Sequence, residues 1–343
     1  MSRSRLWLTA LGLLMSAVAV IALLRSIDAA DAARRLAAAN GWWFLASLAV
    51  TVLCYAVRAQ RWGEILSPYG RRPTAARLFS ATMVGFLAIN TLPARLGEFV
   101  RAYALARSER IPTATVLGSV AVERVLDLAM LGIFWSLSLL FAPYPPWFRW
   151  SGAITVLIAV AIPAGLWAMH RFGGWSWAEE TSLLFRWLPS RPRRALVGAI
   201  PAFRDGLRAL SHPRVLLRSG AGTVLLWILQ GFGFLLIASS LGTRIPLWSP
   251  LLLTFVVSVG IMLPSSPGFV GVMEGACVVG LGLMGVGGAE GLAYGILYHA
   301  SQLLPLIVLG SWYAVRGHVG AEVLKVEGEV WEAGSEKTGD SDA

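Results

Sequence analysis

Six ionisable side chains stand at spacings suited to handling an anion within an otherwise apolar chain. Arg95, Glu98 and Arg101 recur every three residues, directly after Pro93. Glu123, Arg124 and Asp127 follow in Val120-Ala121-Val122-Glu123-Arg124-Val125-Leu126-Asp127. Arginine offers a planar fork of donors that matches phosphate or carboxylate. Neighbouring carboxylates can hold the guanidinium groups, meet a cationic group or carry a proton. Glu123 and Asp127 are i, i+4 and share one face of a helix, as Glu98 and Arg101 do if 97–107 is helical. An exposed helix start at Gly97 also favours an anion. A second constellation is Pro264-Ser265-Ser266-Pro267-Gly268-Phe269-Val270-Gly271-Val272-Met273-Glu274, with two hydroxyls and one acid among helix breakers.

Both constellations interrupt runs that read as membrane, 78–92 and 251–263. Proline removes a backbone donor and clashes with the preceding turn, and glycine adopts conformations other residues resist. Pro93, Gly97, Pro264, Pro267, Gly268 and Gly271 are therefore read as the breaks of two helical hairpins, 75–110 and 249–288. A charge at the bilayer centre costs about 2.5–3.5 kcal/mol, so these charges are expected to pair. The cations are Arg95, Arg101 and Arg124; the anions are Glu98, Glu123, Asp127 and Glu274. Ser265 and Ser266 offer hydroxyls and freed backbone groups to a cavity. The alternative is structural: a network that clamps hairpin to span, and a polar turn packed within protein. In the last span His299 and Gln302 are i, i+3, beside Tyr294 and Tyr298. A helix-packing hydrogen bond is favoured there over proton relay.

The composition sets the class. The chain has 343 residues, 56% hydrophobic and only 14% charged, with a mean hydropathy of +0.66. This excludes a soluble globular protein and indicates a polytopic helical one. The net charge of +10 sits in short loops between apolar runs, which suits anionic lipid and topology signals, not nucleic acid. Cys54 and Cys277 lie in apolar segments and imply neither a disulfide framework nor a metal site. Gly280-Leu281-Gly282-Leu283-Met284-Gly285 matches a dinucleotide-loop pattern but follows no strand, so packing glycines explain it better. No phosphate loop, HExxH or Cys/His cluster is present. No cofactor or metal is expected, and the polar loop at about 170–218 is too short for a catalytic domain.

Candidate spans are 6–24, 41–57, 114–140, 150–169, 220–240 and 289–315. The fold expected is an all-α polytopic membrane protein. About six full transmembrane helices accompany two oppositely oriented re-entrant hairpins in an inverted-repeat pattern. Residues 1–318 form one transmembrane domain; 319–343 form an acidic, disordered tail. The length of 6–24 favours an uncleaved span, although Ala30-Asp31-Ala32 has the pattern of a signal cleavage site. Charge asymmetry sets the threading. If 75–110 dips in from the cytoplasm and returns, the cytoplasmic side collects most arginines, including Arg58, Arg61 and the group between Arg171 and Arg218. Segment 249–288 then enters from outside, as a hairpin or as two short spans, and both termini are cytoplasmic.

At these residues the chain resembles the lysylphosphatidylglycerol synthase transmembrane region, also called the flippase-like or UPF0104 family. The resemblance rests on Leu92-Pro93-Ala94-Arg95-Leu96-Gly97-Glu98, Arg101, Glu123-Arg124-Val125-Leu126-Asp127 and 264–274, supported by Asn90 and by Arg58/Arg61-Trp62. It covers about 1–318. It implies movement of lipids between leaflets, best supported for aminoacylated phosphatidylglycerol; other members are linked to anionic phospholipids or polyprenyl-phosphate-linked sugars. The large soluble aminoacyl-transferase domain of the full synthases has no counterpart, so lysyl-lipid synthesis is not expected. The expected function is a lipid flippase in the cell membrane. Its partners would be a membrane phospholipid or polyprenyl-phosphate-linked lipid, and a homo-oligomer is compatible with the sequence. A membrane transferase using a lipid-phosphate substrate and a non-transporting partner subunit are the alternatives.

Overall fold

The computed structural model describes residues 16–18, 20–21, 27–70, 73–92, 97–142, 144–171, 190–262 and 265–316. The elements among them are helical. They are α1 (Ala29–Ala37), α2 (Gly41–Leu66), α3 (Ala75–Thr91), α4 (Gly97–Glu109), α5 (Thr113–Ser138) and α6 (Pro146–Arg171). Then come α7 (Ser190–Gly206), α8 (Pro213–Leu241), α9 (Ser249–Met262), α10 (Val272–Gly282), α11 (Gly288–Pro305) and α12 (Ser311–Arg316). A π-helical turn, Leu306–Gly310, joins α11 to α12 without a break. The all-α polytopic membrane fold is as expected.

Four helical stretches are long and apolar enough to cross a membrane: Gly41–Tyr69, Pro146–Met169, Pro213–Leu241 and Gly288–Arg316. Helix α5 matches them in length, with 26 residues, but carries Glu123, Arg124 and Asp127. The expected span at 6–24 lies mainly outside the described residues, as do Pro93, Arg95, Pro264 and the tail 319–343. Two boundaries differ from expectation. The segment 41–57 continues as helix to Leu66, so Arg58 and Arg61 belong to a helix and not to a loop. Part of the expected loop 170–218 is the helix α7, which packs along α5: Thr115 Oγ donates to the Ala202 carbonyl at 2.9 Å.

Local sequence explains the helix starts. The Asp28 carboxylate accepts from the Ala30 and Asp31 amides, and the Asn40 side chain accepts from Trp42 and Trp43. Both supply acceptors that a helix start lacks. Helix ends then gather at the two ends of the bundle. At one end the Asn40 amide donates to the Ser240 carbonyl at 2.7 Å, Arg35 meets Glu290 at 3.3 Å, and Phe141 stacks on Trp248. At the other, Arg218 lies 3.7 Å from Glu64.

The two interrupted segments are helical hairpins. In α3 and α4 the contact is backbone on backbone. A Cβ on Gly97 would collide with the Ile89 amide and the Gly85 carbonyl, and one on Gly85 with Arg101. In α9 and α10, Gly260 lies against Ala276 and Gly280 against Leu253. The second break is a tight turn, Pro267–Phe269, with positive φ at Gly268, Phe269 and Gly271. A side chain in that region is strained, and Phe269 tolerates it at the tip of the hairpin. That tip rests on the end of α3: a Cβ on Gly268 would lie 3.8 Å from the Asn90 carbonyl.

The largest buried cluster is aromatic. The Trp135 indole sits 4.7 Å from both Phe148 and Phe255, and Gly152 leaves room for it. A smaller cluster around Trp62, Leu78, Leu105 and Val116 joins α2 to the first hairpin and α5.

Candidate functional site

Three helices deliver charge to one point. Arg58 and Arg61 come from the last third of α2, Glu98 and Arg101 from the start of α4, and Glu123, Arg124 and Asp127 from α5. Arg61 is the centre. Its Nη2 donates to Glu123 Oε1 at 2.7 Å, and its Nη1 to Asp127 Oδ1 at 2.6 Å and to Thr223 of α8 at 3.0 Å. Arg101 Nη1 holds the other oxygen of Glu123 at 2.8 Å. Arg58 reaches Glu123 at 3.4 Å and Asp127 at 3.3 Å. Arg124 bridges Glu98 at 3.1 Å and Asp127 at 3.4 Å. Each carboxylate thus meets one to three guanidinium groups, which offsets the desolvation that isolated buried charges would suffer. Four arginines face three acids, leaving a formal excess of one positive charge among the described residues.

The cluster has an inner and an outer layer. Arg61, Arg101 and Glu123 are 2%, 1% and 0% exposed. Arg101 lies 3.9 Å over the Trp62 ring, a cation–π contact that compensates for donors without hydrogen-bond partners at its Nε and Nη2. Trp62 is fixed in turn by its Nε1 donating to Ser119 at 3.0 Å. The outer layer, Arg58, Glu98, Arg124 and Asp127, lines a cavity of about 250 Å³. Its walls include Phe86, Ile89 and Asn90 from α3, Ile261, Met262 and Phe269 from the second hairpin, and Trp227 and Phe234 from α8. Arg58 stands 5.1 Å from the Phe86 ring. Ends of both hairpins therefore border one space.

Several expected site residues stand elsewhere. Glu98 and Arg101 share a helix but not a partner: one pairs with Arg124, the other with Glu123. Glu274 joins no arginine among the described residues. Its Oε2 accepts from the Gly271 amide at 2.7 Å, capping α10, and its Oε1 meets His299 Nδ1 at 2.6 Å. The reason is distance in the fold: Glu274 faces α11, where Gly295 allows its backbone to approach closely. Ser265 and Ser266 do not line the cavity. The Ser266 amide donates to Ser16 Oγ at 2.9 Å, and Ser16 Oγ donates to Ser266 Oγ at 2.8 Å. Arg58, Arg61 and Trp62 were not among the site residues expected from spacing. The available signal was a pair of arginines at i, i+3 beside a tryptophan at the end of an apolar run. Gly280 packs on Leu253 and Val256, as a packing glycine should. Among the described residues no His, Cys, Asp and Glu group has the makings of a metal site.

The sequence pattern of the Lysylphosphatidylglycerol synthase TM region matches residues 9–310. The chain belongs to that family. The match takes in both hairpins, all seven charged residues of the cluster and the whole cavity lining. In this family member the cluster thus sits inside the shared region. The chain is also similar to the glycosyltransferase AglD of Haloferax volcanii, 32% identical over 117 residues. That stretch is 34% of this chain and 19% of the relative, so the chain spans about a fifth of that protein. No solved structure matches.

Proposed function

We propose that this chain is an integral membrane flippase or transporter. It moves a lipid with an anionic or lipid-phosphate-linked head group between leaflets of the cell membrane. The observation that carries this reading is the 250 Å³ cavity, where Arg58 and Arg124 face inward and the second hairpin's tip closes against the first. That volume falls below the range of drug-sized pockets, about 300–1,000 Å³, and suits a head group whose acyl chains stay in lipid. The helices of the hairpins are the shorter apolar ones, Ala75–Thr91, Ser249–Met262 and Pro267–Gly282. They are shorter than the roughly 20 residues a full crossing needs. In this reading they enter from opposite sides, 75–110 from the cytoplasm and 249–288 from outside, with both termini cytoplasmic. Arg95, outside the described residues, would join the phosphate-binding arginines.

The test is head-group translocation in liposomes holding the purified protein, with a head-group-labelled anionic phospholipid. Arg124→Ala is expected to slow translocation at least tenfold, the scale of a lost charge-assisted contact. Unchanged rates in Arg124→Ala and Arg58→Ala would sink the assignment.

A second reading, a membrane-embedded transferase acting on a lipid-phosphate substrate, is favoured by the likeness to a glycosyltransferase. Against it, every cavity-facing carboxylate is bound to arginine and poorly placed to act as a base. Product formed from a labelled lipid phosphate by the pure protein would decide for it.

A further inference from the structure

Glu274 and His299 take no part in the charged cluster. Their side chains are buried, 11% and 8% exposed, and join α10 to α11 at 2.6 Å. The hydrogen bond expected for His299 thus has a titratable partner. The carboxylate accepts, so Nδ1 carries the ring proton and Nε2 keeps its lone pair. Glu98, Glu123 and Asp127 each bond to arginine, which stays charged at any ordinary pH. Glu274 meets no arginine among the described residues. The titratable groups packed around the pair are thiols and phenols: Cys277 of α10, Tyr294 and Tyr298 of α11, and Cys54 and Tyr55 of α2. All are neutral near pH 7 by their ordinary chemistry. Helices α8 and α9 bring no titratable group to the cavity wall, and Arg58 and Arg124 are held within the cluster. A carboxylate at this depth with no fixed cation is costly unless a proton neutralises its surroundings. An amide at position 274 would cap α10 and hold α11 with no charge to bury, so a clamp alone does not account for the acid.

We infer that the Glu274–His299 pair is a binding site for one proton that crosses the membrane together with the lipid. It rests on the reading of the arginine cluster as the phosphate site. One proton from water adds to His299 Nε2, no bond breaks, and the pair passes from a formal charge of −1 to zero. An anionic phosphodiester does the same for the cluster, whose described residues carry a formal excess of one positive charge. Lipid and proton together leave both centres neutral. Either alone leaves one charged, and the empty protein holds two separated charges in a low-dielectric setting. The doubly loaded form is therefore the one that crosses readily. The fold supplies a route for the coupling. Glu274 Oε2 also holds the Gly271 amide at the break of the second hairpin, two residues beyond Phe269, which lines the cavity as Met273 and His299 do. His299 Nε2 itself is sealed from solvent in this conformation. A proton reaches it only when the second hairpin shifts, which ties proton exchange to movement of the cavity wall.

The test uses vesicles holding the purified protein and head-group-labelled phosphatidylglycerol, with a pH gradient imposed and the membrane potential held at zero. Protein-free vesicles set the background. With one proton per lipid, labelled lipid is expected to gather in the leaflet facing the alkaline side, at a ratio of about tenfold per pH unit. A protonophore should return the ratio to one, and a pH-sensitive dye in the lumen should report one proton entering per lipid. In Glu274→Gln, whose pair is neutral without an added proton, lipid should equilibrate to a ratio of one under the same gradient. A ratio that survives this substitution would overturn the assignment to the pair. The wild-type proton count decides alone if the variant does not fold or moves no lipid. Wild-type translocation that ignores the gradient, with no proton entry, would overturn the proton site and leave the flippase reading standing. No translocation under any condition would instead overturn the flippase reading on which the proton site rests.

Discussion

Arg61 and Arg124 touch the same carboxylate, Asp127, and do different work. Arg61 is buried at the junction of α2, α5 and α8 and satisfies two acids. Its loss leaves buried carboxylates short of partners, which costs about 3–5 kcal/mol. Arg61→Ala is therefore expected to lower the thermal unfolding temperature in detergent markedly. Arg124 is partly open to the cavity, at 36% side-chain exposure. Arg124→Ala is expected to leave unfolding within a few degrees of wild type while lipid translocation drops. Similar losses of stability in the two variants would contradict the division into supporting and ligand-facing arginines. The shared face of Glu123 and Asp127 was legible from their i, i+4 spacing. The role of Arg61 was not, because its charge ends an apolar run and so resembles the start of a loop. Only the packing of α8 and α5 over it shows that it is interior.

At the scale of elements, prolines and glycines marked both interruptions correctly as places where helices stop. What they could not convey is why Gly97 is glycine. It is not a matter of its own conformation: its Cβ would strike backbone atoms of α3, which cannot move aside as a side chain can. Gly97→Ala is expected to wedge the first hairpin open and destabilise the protein by about 1–3 kcal/mol. Gly275→Ala is the control. It meets nothing within 4 Å and replaces a helical glycine, so it should be neutral or slightly stabilising. Equal effects of the two, read as unfolding temperature, would count against a backbone-packed hairpin. The partner of Glu274 was also beyond sequence reasoning. Charge pairing alone pointed to arginine, and the choice of His299 depends on the close approach of α10 and α11 at Gly295.

For the whole molecule, the segregation of helix ends fits the proposed threading. Ser240, Glu290 and Trp248 gather at one end with Asn40, and Arg218 lies with Glu64 at the other. After replacement of Cys54 and Cys277, Arg208→Cys is expected to react with an impermeant thiol reagent only from the cytoplasm, and Trp147→Cys only from outside. Labelling of both from one side would overturn the threading and with it the opposed entry of the hairpins. The class and the hairpins could be read from hydropathy and breakers. The inclusion of Arg58 and Arg61 could not, since only the continuation of α2 to Leu66 makes them part of a helix that packs on α5 and α8. Among the described residues, the unequal tally of four guanidinium groups and three carboxylates has a kinetic corollary for the proposed carrier. An unloaded protein reorients with uncompensated charge in a low-dielectric setting, so the return step without cargo should be the slow one. Unlabelled anionic lipid supplied on the far leaflet should then speed the exit of labelled lipid, a trans-stimulation readable as flux in asymmetric vesicles. The chain would behave as an exchanger, swapping one lipid for another faster than it delivers a net surplus to either leaflet.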